Sequence, residues 1–192
     1  MSKNFLITGR PGIGKTTAVV RVVELLRREG IEVGGFISEE IRVRGTRVGF
    51  RVVDLKTGRQ GYLARVGRGR GPRVGKYVVD LEEFERIGVR AVESAISEAE
   101  VVVVDEIGPM ELYSRRFREV VERALDSDKV VLATIHWRAG KGEFGRKILS
   151  RRDIEILRLD FENRDRVPME LFEKIADLLK SRKRGRSKGT ET

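Results

Sequence analysis

Cysteine is absent from the 192 residues and histidine occurs once. Without cysteine there is no disulfide, no thiolate nucleophile, no zinc–thiolate site and no iron–sulfur cluster, so the composition points to a reducing interior or to indifference to redox. Long apolar runs are also missing. No stretch approaches the ~18 uncharged residues that a membrane span requires, and a cytoplasmic protein without a membrane partner is expected. Side-chain amides are scarce, with Gln60 the only glutamine and Asn4 and Asn163 the only asparagines, while 36% of residues are charged. That balance is typical of proteins from hot environments, where labile amides are avoided and ion pairs gain weight. What remains is enough apolar chain to bury the core of one domain.

The net charge of +10 is unevenly placed. Residues 180–192 contain Lys180, Arg182, Lys183, Arg184, Arg186 and Lys188 against Glu191, a net +5 and half of the total. We therefore divide the chain into a domain over 1–180 and a flexible basic tail over 181–192. Such a tail is either a solvated terminus or a weak ligand for nucleic-acid phosphates. Apart from this, no partner protein is implied, and a monomer is expected.

Local patterns alternate between strand and helix. Phe5-Leu6-Ile7 is a short apolar strand, and Gly9, Pro11, Gly12 and Gly14 then force a tight loop. Val19, Val22, Val23 and Leu26 follow at helical spacing, with Gly30 placed to stop the helix. Residues 33–79 read as short strands, among them Gly35–Ser38, Val48–Val53, Gly61–Leu63 and Tyr77–Val79, separated by turns such as Arg44-Gly45-Thr46 and Lys56-Thr57-Gly58. These predict antiparallel hairpins on an edge of the sheet, with Gly67–Arg73 as a mobile loop. Beyond Asp80, a helix N-cap, one helix is predicted over 81–98. Val101–Val104 is an unbroken β-branched run of the kind buried on both faces in a parallel sheet. A helix over 116–125, a strand over 130–135, a helix over 142–150, a strand over 154–159 and a final helix striped by Leu171, Ile175, Leu178 and Leu179 complete a layered α/β domain.

Two motifs carry chemistry. Gly9-Arg10-Pro11-Gly12-Ile13-Gly14-Lys15-Thr16 satisfies G-x-x-x-x-G-K-[ST] between a strand and a helix. In that context backbone N–H groups and the helix N-terminus hold phosphate oxygens, the lysine reaches the β- and γ-phosphates, and the Thr16 hydroxyl ligates Mg2+. Thr17 continues this binding segment. The second motif is Asp105-Glu106 at the end of the tetravaline strand, where open α/β sheets bind their ligands. Asp105 is the direct or one-removed partner of Mg2+, and Glu106 orients or deprotonates the attacking water. Lys15 and Glu106 are thus the catalytic candidates, and Thr16 and Asp105 the metal candidates.

Together with Gly35–Arg42, Arg47–Phe50, Gly75-Lys76-Tyr77, Asp105–Leu112, Ala133–His136 and Glu162–Asp165, these motifs make the chain resemble the small nucleoside-triphosphatases of the THEP1 type over nearly its whole length. The resemblance implies slow Mg2+-dependent hydrolysis of ATP, GTP, CTP and UTP to diphosphate and phosphate. It also implies a three-layer P-loop fold with a mostly parallel, RecA-like sheet. Glu40 departs from the family pattern, in which an aliphatic residue is frequent, and so does the basic tail.

Other residues admit two readings each. His136 senses phosphate or relays a proton, or is a hydrogen-bonded structural histidine. Arg138 serves as an arginine finger or is a solvated surface group, and Arg146, Arg151 and Arg152 form a closing lid or an exposed charged face. Asn163 reads a base edge or caps a turn, and Trp137 packs or stacks on a base. A nucleotide or small-molecule kinase and an NTP-switched nucleic-acid-binding protein are the rival functions. The first would transfer phosphate to an acceptor, and the second would show salt-dependent, tail-dependent binding.

Overall fold

A computed structural model describes residues 2–67 and 69–187. Its centre is a nine-stranded mixed sheet: β1 Asn4–Thr8, β2 Val33–Val43, β3 Thr46–Asp54, β4 Gln60–Val66, β5 Arg73–Val74, β6 Tyr77–Val79, β7 Val101–Ile107, β8 Val130–Ile135 and β9 Ile154–Arg158. The spatial order is β5-β6-β4-β3-β2-β7-β8-β1-β9. Strands β2, β7, β8, β1 and β9 run parallel, whereas β3, β4, β6 and β5 join by antiparallel pairing. The expected hairpin extension therefore lies beyond β2, on the far side from β9.

Period-two alternation divides the core between the two faces of the sheet. Phe5, Ile7, Val101, Val103, Val130 and Leu132 pack with helices α1 (Lys15–Arg28) and α6 (Val167–Ser187). Leu6, Val102, Val104, Val131 and Ala133 face the opposite layer, which contains α3 (Arg90–Glu98), α4 (Arg115–Asp126) and Ile148 of α5 (Glu143–Leu149). All four valines of β7 are 0% exposed, which explains why the run is apolar on both faces. Strand β2 serves both halves: Val33–Phe36 pair in parallel with β7, and Phe36–Val43 pair antiparallel with β3. Gly35 permits that junction, because a Cβ there would lie 2.0 Å from the Val103 carbonyl oxygen.

Three expectations change. The helix predicted over 81–98 is three pieces: α2 (Leu81–Phe84), a π-turn over Glu85–Val89, and α3. Asp80 does cap its start, its side chain accepting from Glu83 N at 3.1 Å, but Gly88 sits where a Cβ would be 2.7 Å from the Phe84 ring, marking the crowded bulge. The strand predicted over 35–38 runs from Val33 to Val43, since alternation is hidden where pairing switches partner. The segment set apart as a flexible tail from residue 181 continues α6 as far as Ser187. Arg182 donates to the Asp128 carbonyl at 2.7 Å and Lys183 pairs with Glu100 at 2.8 Å, so these cations have partners on the body. Residues 188–192 lie outside the described residues, as does Arg68 in the loop expected to be mobile. Among the described residues no helix is long and apolar enough to cross a membrane.

Candidate active site

The loop between β1 and α1 leads directly into the helix. Gly14, the N-cap of α1, has φ 106 and ψ 27, a left-handed conformation that strains any residue with a Cβ. Ile13 is buried with the α1 and α6 side chains and pins the loop to the core. Lys15 folds back over the loop, its Nζ donating to the carbonyl oxygens of Gly9 at 3.0 Å and Arg10 at 3.5 Å. No acidic residue stands in the first turn of α1, so the positive end of the helix is uncompensated and suited to an anion.

Strand β8 separates β1 from β7, yet the parallel register brings the carboxyl end of β7 beside the loop. Asp105 is 1% exposed there. Its Oδ2 accepts from Thr16 Oγ1 at 2.8 Å and Ser38 N at 3.3 Å, and its Oδ1 accepts from Thr134 Oγ1 at 2.6 Å. Burial raises the Asp105 carboxyl above its ordinary range, opposed by these hydrogen bonds and by Lys15. Glu106 follows across a cis peptide bond. Burial pushes its carboxyl up to about 7, with Asp105 adding to the rise and Lys15 opposing it. Its Oε1 is buried and has no hydrogen-bond partner among the described residues.

Glu111, in the short turn after β7, is a second buried acid. A Cβ on Gly108 would be 3.0 Å from Glu111 Oε2 and 3.4 Å from Glu106 Cδ, which shows how closely the two carboxyl groups flank that glycine. Burial first, then the Glu106 and Asp105 charges, raise Glu111 well above the carboxylate range, while backbone N–H groups of Glu111 and Gly108 oppose the shift.

A cleft of about 740 Å3 joins these groups, lined by Pro11, Gly12, Gly14, Lys15, Thr16, Thr17, Glu106, Glu111 and His136. Burial, followed by Lys15 and Arg138, lowers the His136 pKa below its ordinary value, so the ring is neutral near pH 7. Thr134, Ser38 and Glu111 were not singled out from the sequence. Each lies in a segment that carries the family resemblance, and a hydroxyl inside the apolar run Val130–Ile135 was a further signal for Thr134.

The other candidates fall outside the cleft. Arg138 stacks on Trp137 at 4.2 Å, and Trp137 is 43% exposed instead of packed. Arg146 of α5 donates to the Lys141 carbonyl at 3.0 Å, in the turn that precedes its own helix. Arg151 ties Asp126 at 2.7 Å to Asp153 at 2.8 Å, a structural bridge away from the loop, and Arg152 is exposed. Both ends of the Asn163 amide are used in the turn after β9: Oδ1 accepts from Asp160 N at 2.9 Å and Nδ2 donates to Arg158 O at 2.8 Å.

For Mg2+, the donors fit. Thr16 and Asp105 are hard oxygen ligands held 2.8 Å apart at the phosphate loop, and Glu106 presents a buried oxygen without a partner. Among the described residues no group of three or more His, Cys, Asp or Glu could hold a metal unaided. Mg2+ suits such a half-site because it retains waters and takes further oxygens from substrate phosphates.

A glycine-bearing loop heading the first helix, an acid-ended strand one position removed, and parallel strands flanked by helices on both faces define a P-loop nucleoside-triphosphatase. A family model described as NTPase matches residues 4–176, and the chain belongs to that family. It is 57% identical over 178 residues to nucleoside-triphosphatase THEP1 of Thermofilum pendens, covering 93% of this chain and 98% of the relative. The crystal structure of THEP1 from Aquifex aeolicus superposes with a TM-score of 0.78 at 31% identity, covering 90% of this chain and 98% of that one. The solution structure of a human cancer-related nucleoside triphosphatase gives 0.77 at 36% identity, covering 94% and 98%.

Proposed function

We propose that this cleft hydrolyses nucleoside triphosphates to diphosphate and phosphate in the presence of Mg2+, with little base preference and low turnover. The carrying observation is the bridge from Thr16 through buried Asp105 to Thr134, which sets Glu106 with its unpartnered oxygen in the same cleft as Lys15.

Each residue has a task. Backbone N–H groups of residues 12–16 and the N-terminus of α1 bind the phosphates, and Lys15 leaves the Gly9 and Arg10 carbonyls to meet the β,γ end. Thr16 and Asp105 would hold Mg2+, whose charge neutralises the phosphate oxygens. The Glu106 carboxylate accepts a proton from, or orients, a water attacking the γ-phosphorus, and a group titrating at about 7 is well matched to that task near neutrality. The oxygen bridging to the diphosphate leaves with the bonding electrons.

Broad base use is supported by the engagement of the Asn163 amide, a group able to read a base edge, within its own turn. Low turnover follows because Arg138, Arg146 and Arg151 are engaged elsewhere. With these arginines turned away from the γ-phosphate end of the cleft, γ-phosphoryl charge in the transition state is only partly balanced.

Phosphate release from ATP, GTP, CTP and UTP, with and without Mg2+, tests the proposal. Comparable rates that vanish on chelation are expected. In Glu106→Gln, Mg·NTP binding should persist while turnover falls roughly 10²-fold or more. An unchanged rate in that variant removes Glu106 from the mechanism.

A further inference from the structure

The sheet order places β7, which carries Glu106 and leads into the turn of Glu111, between the phosphate-loop strand β1 and the hairpin strands β3, β4 and β6. Both acids therefore stand partway along a cleft that runs from Lys15 to Tyr77. Glu106 has a task there in directing the attacking water. Glu111 has none so far, although it lines the same cleft and is only 5% exposed. No ion pair reaches it among the described residues, and a glutamate is almost never buried to that degree unpaired.

The backbone holds Glu111 in place from both sides. Leu112 N donates to the Gly108 carbonyl at 3.0 Å, and Ser114 N donates to the Glu111 carbonyl at 3.0 Å. Ser114 is itself anchored as the N-cap of α4, its Oγ accepting from Phe117 N at 3.0 Å and donating to Glu85 at 2.6 Å. The carboxyl so positioned meets that of Glu106 over Gly108, where an added Cβ would lie 3.0 Å from Glu111 Oε2 and 3.4 Å from both Cγ and Cδ of Glu106. Gly108 is not among the glycines with positive φ, so the space taken by the two acids, and not the backbone, is what excludes a side chain there. Glu106 Oε1 has no partner of its own. A water poised to attack phosphorus carries two O–H bonds, and one carboxylate oxygen directs only one of them; a second acceptor fixes its orientation.

Resting on the assignment of Glu106 to the attacking water, we propose that Glu111 is a second catalytic residue of the hydrolysis, and that the water is held between the two carboxyl groups over Gly108 with one O–H directed to each. As the water oxygen bonds to the γ-phosphorus, one proton passes to the Glu106 carboxylate, while Glu111 keeps its own proton and accepts the other O–H as a hydrogen bond. The bond from that phosphorus to the bridging oxygen breaks, the nucleoside diphosphate leaves with the electron pair, and Glu106 returns the proton to solvent. Burial, and after it the charge of Glu106, hold Glu111 protonated well beyond the ordinary carboxylate range. It therefore enters the pair as a neutral hydrogen-bonding group and brings no further negative charge against the phosphates.

Two variants of nearly equal shape test the pair. Glu111→Gln retains an oxygen that accepts from water, whereas Glu111→Met fills the same space without one. Hydrolysis of Mg·ATP and thermal melting are measured for both in the full chain. In the Met variant kcat should fall about tenfold or more with KM unchanged, and in the Gln variant by only about two- to threefold. Gly108→Ala, whose methyl group enters between the carboxyl groups, should also lower kcat by about tenfold. Parental kcat in a folded Met variant, or equal losses in the Met and Gln variants, removes Glu111 from the reaction and leaves Glu106 in its role. Should the Met variant fail to fold, parental kcat in Gly108→Ala has the same consequence. An unchanged rate in Glu106→Gln overturns both assignments together.

Discussion

The Thr16 hydroxyl donates to Asp105 at 2.8 Å across 89 residues of sequence. One member lies in the first turn of the first helix and the other near the carboxyl end of the central strand, so this contact joins the phosphate loop to the acids. With Thr134 on the opposite carboxylate oxygen, Asp105 is fixed from both sides before any substrate arrives, and orientation is not left to binding.

Replacing Lys15 by Ala removes the cation that the loop holds over its own carbonyls. Affinity for a non-hydrolysable ATP analogue should fall about 10- to 100-fold, as expected for losing charge-assisted hydrogen bonds. Calorimetric titration reads this directly, and undiminished affinity would place the triphosphate elsewhere.

Thr134→Val keeps the shape of the side chain and removes its donor. Thr134 is 0% exposed, so one oxygen of the buried Asp105 is left without a partner at a cost of about 1–3 kcal/mol. A melting temperature lowered by several degrees and a weaker response of the rate to Mg2+ should accompany each other. Loss of stability with an unaltered Mg2+ titration would make Thr134 a structural residue only.

Glu111 gives a pH signature. Burial and its acidic neighbours Glu106 and Asp105 raise its carboxyl, so the folded chain retains this proton longer than the unfolded chain does. Its contribution to stability is complete below the ordinary carboxyl pKa of about 4.3 and is lost as the pH rises toward the folded value. Glu111→Gln should therefore melt a few degrees above the parent at about pH 8, and the difference should shrink to nothing near pH 4. A constant difference across that range would mean that the proton is not involved.

Arg151 tests the division between structure and chemistry. It bridges Asp126 and Asp153 at the amino-terminal end of β9, and its removal should cost about 1 kcal/mol, the upper range for partly exposed pairs. Thermal denaturation should show that loss with kcat unchanged. A fall in kcat at full stability would restore Arg151 as a lid arginine.

Much of this was legible from local pattern. The loop from Gly9 to Thr16 is a contiguous motif whose chemistry is in its backbone and one lysine, and the tetravaline strand declared its double burial through four consecutive β-branched residues. The loop's companions Ser38, Thr134 and Glu111 were marked only as members of the segments that carry the family resemblance, because a serine, a threonine or a glutamate acquires a role only from what it touches. Arg138 and Arg151 show the converse: proximity in sequence to a site suggested chemistry, while the structure sets them against Trp137 and two aspartates.

By itself the sequence determined the alternation of strands and helices, the phosphate loop and the acid pair, since periodicity and short-range backbone geometry are local properties. Only the tertiary structure decided that β7 stands between the loop and the hairpins, that Asp105 is held by two hydroxyls, and that one cleft runs from Lys15 to Tyr77. Those facts depend on strand order and register, through which residues far apart in the chain are brought within hydrogen-bonding distance.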